Sequence, residues 1–286
     1  MIDTADISFI QSNRERLKPQ CERCFGLCCV ALYYSKQDGF PEDKSAGTPC
    51  PELDADFRCS VHEKLGKLEL KGCAAYECFG AGQQVSQVTF AGESWRSQPA
   101  SAGMMFRVFL IMRHLYELCW YLSEAISYGP EQPLKEQLRK TFQETERMTE
   151  LSPEELLSFD LPRLETEAIA LLREASASVR ARIRRAQKIP DHSGNRRNAA
   201  ADFFGKDLRK KDLRCKDLHG ACLIAANLRD MNLCGTDFIG ADFRDADLRG
   251  ADLSGSLFLS QFQINTARGD SAAKLPEPLA RPSHWE

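Results

Sequence analysis

The sequence predicts a multidomain protein: a cysteine-rich loop region, an α-helical middle and a C-terminal coil of short repeats. Three observations carry that prediction. Eight of the twelve cysteines fall between Cys21 and Cys78. Apolar residues recur at three- and four-residue steps through much of 103–187, the spacing of a helix face. From Phe203 onward a Leu or Phe stands at every fifth residue, a period that neither helix nor strand generates. The expected segments are 1–95 (cysteine cluster), 96–187 (helical), 188–200 (linker), 201–265 (repeats) and 266–286 (tail).

The cysteine region is rich in Gly, Pro and Asp and has little apolar periodicity, so something other than a core must hold it. Which chemistry that is depends on compartment. The start, MIDTADISFIQSNRERLKP, lacks the basic residues and apolar run of a secretory signal. The most apolar stretch, MMFRVFLIMRHLYELCWYL, is broken by Arg107, Arg113, His114 and Glu117 and fails as a membrane span. A cytoplasmic location is expected, where thiols stay reduced and dense cysteines mean metal or redox chemistry more often than disulfides. The spacing is C-x2-C-x3-C-C, then C-x8-C-x2-H, then C-x4-C. A C-x2-C bite lets two sulfurs face one ion. Adjacent Cys28 and Cys29 point to opposite sides if the backbone is extended, which suggests two metals, or one metal and a spare thiol. His62 is a substitute ligand; disulfides and inert buried thiols are the alternatives to a metal.

In the middle region, 104–127 is apolar around most of its circumference, with Arg107, His114, Glu117 and Glu124 on one narrow stripe. Such a helix belongs at the centre of a bundle. LSPEELL marks another start, with Ser152 as N-cap, Pro153 at the first position and Glu155 closing a capping box. Leu164, Ala168, Leu171, Ala175, Val179 and Ile183 then carry a helix to about Gln187.

The repeat runs Phe203, Leu208, Leu213, Leu218, Leu223, Leu228, Leu233, Phe238, Phe243, Leu248, Leu253, Phe258. Asp or Asn precedes the apolar residue in ten of these twelve units, and a small residue usually stands two before it. Both the large and the small residue are expected inside. Lys206, Lys211 and Lys216 take the small position in the first units; unpaired lysines cannot sit in that core, so they are expected to leave through its open end.

Segment GADFRDADLRGADLSGS resembles the pentapeptide-repeat family. That resemblance implies a right-handed quadrilateral β-helix, four units to a coil and about three coils, a rod of ~15 Å at the ~4.8 Å strand spacing. The segments CERCFGLCC, TPCPELDADFRCSVHEKL and GCAAYECFGAGQ resemble the YkgJ-type cysteine-cluster family, described as zinc- or iron-chelating, over roughly 21–85. It implies Cys21, Cys24, Cys28, Cys29, Cys50, Cys59, Cys73 and Cys78 as metal ligands. Thiolates suit zinc or an iron–sulfur cluster equally well.

Other signals are weaker. His114 reads as a polar-stripe residue, and FGAGQQ follows no predicted strand and so is a poor phosphate loop. Between Arg180 and Lys216, thirteen Lys or Arg stand against four Asp, a local net of +9 while the remainder carries −12. Nucleic acid is one partner for such a stretch; docking against the protein's own acidic surface is the favoured reading. The expected function is a metal-binding scaffold or interaction module whose partner is another protein. The alternative is an iron–sulfur or zinc-thiolate enzyme or redox sensor with Cys28 or Cys29 reactive. A DNA mimic acting on type II topoisomerases needs a long acidic coil, whereas 202–258 holds ten Asp and nine Lys or Arg.

Overall fold

The computed structural model describes residues 4–190 and 201–285. Most of the expected linker, 191–200, lies outside the described residues. Helices are α1 (Thr4–Arg16), α2 (Leu27–Ala31), α3 (Lys71–Ala75), α4 (Ala81–Gln84), α5 (Ala102–Ser127), α6 (Leu134–Met148), α7 (Pro153–Ser158), α8 (Leu161–Ala186) and α9 (Gln261–Thr266). The chain divides into two compact units: Met1–Leu70 with Glu77–Arg173, and Lys71–Tyr76 with Glu174–Glu286.

In the first unit α5 is the axis, packing against α1, α2, α4, α6 and α7. Met105, Val108, Met112, Leu115, Leu122, Ala125 and Ile126 are fully buried along it. Its polar stripe meets partners: His114 Nδ1 lies 3.0 Å from Glu165, and Glu124 pairs with Arg14 at 3.3 Å. The predicted capping box is present, Ser152 Oγ accepting from Glu155 N and Glu155 Oε2 from Ser152 N. Helix α1 has almost no amphipathic pattern, yet it buries Ile10 and sets Phe9 edge-on to Phe142 at 4.8 Å. The loops that follow α2 are held by two single antiparallel bridges, Tyr34 with Lys44 and Leu53 with Cys59. Between them sits a small cluster of Tyr34, Cys50 and Leu53, with Leu32, Phe40 and Trp95 against it.

In the second unit, each five-residue repeat is a bridging residue followed by a turn. The Asp or Asn is bridged in parallel to the residue twenty positions on, as in Asp207 with Asn227 and Asn227 with Asp247, so one circuit takes four repeats. Its side chain caps the turn that follows: Asp217 Oδ1 accepts from His219 N, Asn227 Oδ1 from Arg229 N and Asp247 Oδ1 from Arg249 N. The apolar residue's carbonyl closes the turn, Ala226 N donating to Leu223 O at 2.9 Å and Ala241 N to Phe238 O at 3.0 Å. Positive φ at Gly220 (63°), Ala225 (55°) and Gly240 (61°) makes these type II turns. The inward Leu and Phe from Leu208 on and the inward alanines are buried, while Thr236 and Ser256 satisfy their hydroxyls on Leu213 O and Leu233 O.

The expected quadrilateral β-helix is corrected here. Among the described residues no β-strand forms, and the regular structure is helical. The repeat explains this: a turn interrupts the chain after every bridging residue, so two successive residues never enter one ladder.

One side of the repeats and their C-terminal end are covered. The C-terminal half of α8 lies on them through Arg180, whose Nη2 meets Asp217 at 3.2 Å, and through Ser176, which donates to Asp237. At the C-terminal end Ser260 and Gln263 cap α9, Gln263 Nε2 reaches Phe238 O at 2.7 Å, and Trp285 is buried with Nε1 on Ala267 O. Helix α3 packs on α9, with Asn265 donating to Ala74 O and Lys71 paired to Asp245.

Candidate functional site

Cys21 opens a single 3-10 turn and Cys24 closes it. Gly26, at φ 62°, then reverses the chain into α2, whose first turn carries Cys28 and Cys29. The backbone there is helical, not extended. Adjacent side chains therefore splay by about 100° rather than facing opposite ways, and the two sulfurs sit 3.8 Å apart. Cys50 is tied to this turn by its own N–H, which donates to Cys29 O at 2.9 Å. Cys59 returns beside it through the Leu53 bridge. Cys78 precedes α4, where Gly82 packs so closely on Cys24 that an added Cβ would stand 2.7 Å from its sulfur.

Cys73 is placed differently. It lies on α3, in the second unit, while the other seven proposed ligands belong to the first. His62 sits exposed at the start of a 3-10 turn. None of the twelve cysteines is in a disulfide.

Electrostatics divides the thiols. Cys29 is pulled down to about 7, first by the Cys28 thiol bonded to it, then by the Tyr34 hydroxyl and the nearby Lys44 ammonium, with burial opposing. The same bond and burial hold Cys28 well above the ordinary thiol range, and Cys24 and Cys78 add to the effect. Burial, then Glu77, pushes Cys78 up to about 12. Burial also raises Cys24, Cys50 and Cys59.

Lys44 escaped the sequence reading. It is buried, its Nζ donates to Val30 O and Leu32 O, and it lies 4.3 Å from the centre of the Tyr34 ring. Glu77 is the second such group: its backbone and side chain bracket Cys78, with Oε1 accepting from Phe79 N. Lys44 stands in no motif and Glu77 falls at an unassigned position within C-x4-C, so no sequence signal marked either as a functional group.

The donor set is all sulfur, the chemistry a soft ion needs. Its arrangement does not match a coordination shell: among the described residues no three Cys, His, Asp or Glu side chains converge to hold a metal ion. What the arrangement does provide is one acidic thiol in contact with one held protonated.

Residues 217–255 match the Pentapeptide repeats family in eight copies. Over 283 residues the chain is 51% identical to uncharacterized protein YybG of Bacillus subtilis (strain 168), covering 99% of this chain and 100% of that one. The chain belongs to the family of that protein. No solved structure matches it. No helix among the described residues is long and apolar enough to cross a membrane.

Proposed function

We propose that the protein is a metal-binding interaction module, in which the cysteine loops hold zinc or iron and the repeats offer a rigid surface to a protein partner. The observation that carries this reading is the gathering of Cys21, Cys24, Cys28, Cys29, Cys50, Cys59 and Cys78 in one unit with every sulfur unbridged. The resemblance of 21–85 to the YkgJ-type family supports it. Side-chain rotation would have to bring the thiols together, and Cys73 enters the ligand set only through the resemblance. Elemental analysis with a UV–visible spectrum on protein purified without oxygen tests the reading. Stoichiometric zinc or iron is expected, and metal-free protein with full thiol titre refutes it.

The second reading is a thiol-based redox sensor, favoured by the 3.8 Å contact of Cys28 and Cys29. Metal-free protein whose two thiols are lost together on mild oxidation would select it over the first.

A further inference from the structure

A recess of about 400 Å³ opens at the first circuit of the repeats, where the last turn of α8 meets it. Four cations line it: Arg184, Lys211, Arg214 and Lys216. The one carboxylate among them, Asp212, is already held by Arg214 through Nε at 2.8 Å and Nη2 at 2.7 Å. Arg184 is anchored by a bond to Cys215 O at 3.1 Å. Lys211 and Lys216 make no ion pair among the described residues, although Lys216 shares the field of Asp212. The recess thus carries a net charge of +3, from four cations less one anion. Its remaining wall is apolar, made by Pro190, half-buried Phe203 and Leu213.

A net positive recess with two ammonium groups that form no ion pair among the described residues is a site for a multiply charged anion, and phosphate matches it better than a single carboxylate. The apolar wall has no use for inorganic phosphate but would bury a ring or chain attached to it. The volume falls in the range of small-molecule sites. We propose that this end of the repeats binds a phosphate monoester carrying an apolar or aromatic group, about the size of a mononucleotide. Lys211 and Lys216 supply the charge–charge contacts, Arg184 the anchored rim, and Phe203 with Leu213 the contact for the organic part.

The test is calorimetric titration of the full-length protein with phenyl phosphate, adenosine monophosphate and inorganic phosphate at physiological salt. The organic phosphates are expected to bind more tightly than inorganic phosphate. Lys211→Ala with Lys216→Ala should weaken them by roughly tenfold per lysine, the size of one charge-assisted contact. Lys210→Ala, an exposed lysine of the same circuit outside the recess, should leave affinity unchanged. Lys211→Ala alone, fully on the surface, repeats the test if the double variant unfolds. Three results would overturn the proposal: no heat with any of the three anions, equal losses from Lys210 and Lys211, or duplex DNA displacing the nucleotide at equal phosphate. The last would make the recess part of a general polyanion surface.

Discussion

Asp237, like Asp217, both caps its own turn and holds α8. Its Oδ1 caps its own turn, accepting from Ile239 N at 2.9 Å, as the surface aspartates do. Its Oδ2 accepts from Ser176 Oγ on α8, and both residues are buried at 2% and 0% exposure. Arg180 Nε donates to the same hydroxyl at 3.0 Å, so the serine links a guanidinium to a carboxylate. Replacing Asp237 by Ala removes a turn bond worth about 1 kcal/mol and a charge-assisted buried bond worth about 1.5–3 kcal/mol. Relief of carboxylate desolvation offsets part of this, leaving an expected loss of roughly 3 kcal/mol. Asp252→Ala, at a half-buried position, removes a comparable turn bond to Ser254 N at 3.1 Å together with contacts to Ser254 Oγ and Lys274 Nζ, and should cost about 1–2 kcal/mol. The assay is a double-mutant cycle of Asp237→Ala with Ser176→Ala, by urea unfolding followed in the far-UV and by hydrogen exchange over α8 and the repeats. A coupling energy of about 1.5–3 kcal/mol is expected. Coupling below about 0.5 kcal/mol, within the range of independent sites, would refute the account.

Three further outcomes are expected. Leu228→Lys buries an unpaired charge in a position with 0% exposure and should abolish folding of the repeats, at a cost of several kcal/mol. Leu213→Lys should be milder by thermal unfolding, because Leu213 borders the open recess beside Lys211 and Lys216. Alkylation of Cys29 should rise with pH to half its maximum near about 7, and Cys28→Ala should move that midpoint upward by removing the hydrogen bond that most stabilises the thiolate, as iodoacetamide kinetics with peptide mapping would show. Gly220→Ala meets nothing within 4 Å and should cost only left-handed strain, about 1–2 kcal/mol. Gly235→Ala adds a contact of 2.7 Å to Cys215 Sγ and should cost about 1–3 kcal/mol more by denaturant midpoint.

The parts legible in advance were those that repeat. The five-residue period announced which side chains turn inward, and the stripe of Arg107, His114, Glu117 and Glu124 announced that most of the rest of α5 is covered, Leu110 at its edge excepted. Ser152 and Glu155 declared a helix start because a capping box is wholly local. The Asp and Asn of the repeats were visible as a pattern, but their use as turn caps was not, since a surface carboxylate reads equally as a solvated charge. The β-helix expectation failed for a related reason: the period shows where the chain returns, and only the turn after every bridging residue shows that no strand can grow. At the cysteines, spacing alone could not tell a helical turn from an extended one, which is why Cys28 and Cys29 were expected to diverge. Cys73 was grouped by its distance along the chain, and α3 carries it into the other unit.

A coil closed by one bridge per repeat can change length only in certain steps. For the bridged repeats from Asp202 to Asp237 the partner lies twenty residues on, so adding a single repeat there advances everything after it by one side of the circuit. The inward pattern would survive such an insertion, since every repeat presents the same two residues inside. The attachment of α8 would not: an insertion between Asp217 and Asp237, which both hold it, moves only Asp237 to a different side, while the Phe238 and Ala241 carbonyls advance together with the Gln263 they hold. Insertions or deletions of four repeats keep every attachment in register. Natural or engineered variants of this chain should therefore differ in whole circuits, and a five-residue insertion between Leu218 and Leu233 should leave the repeats folded but detach the helix that covers them.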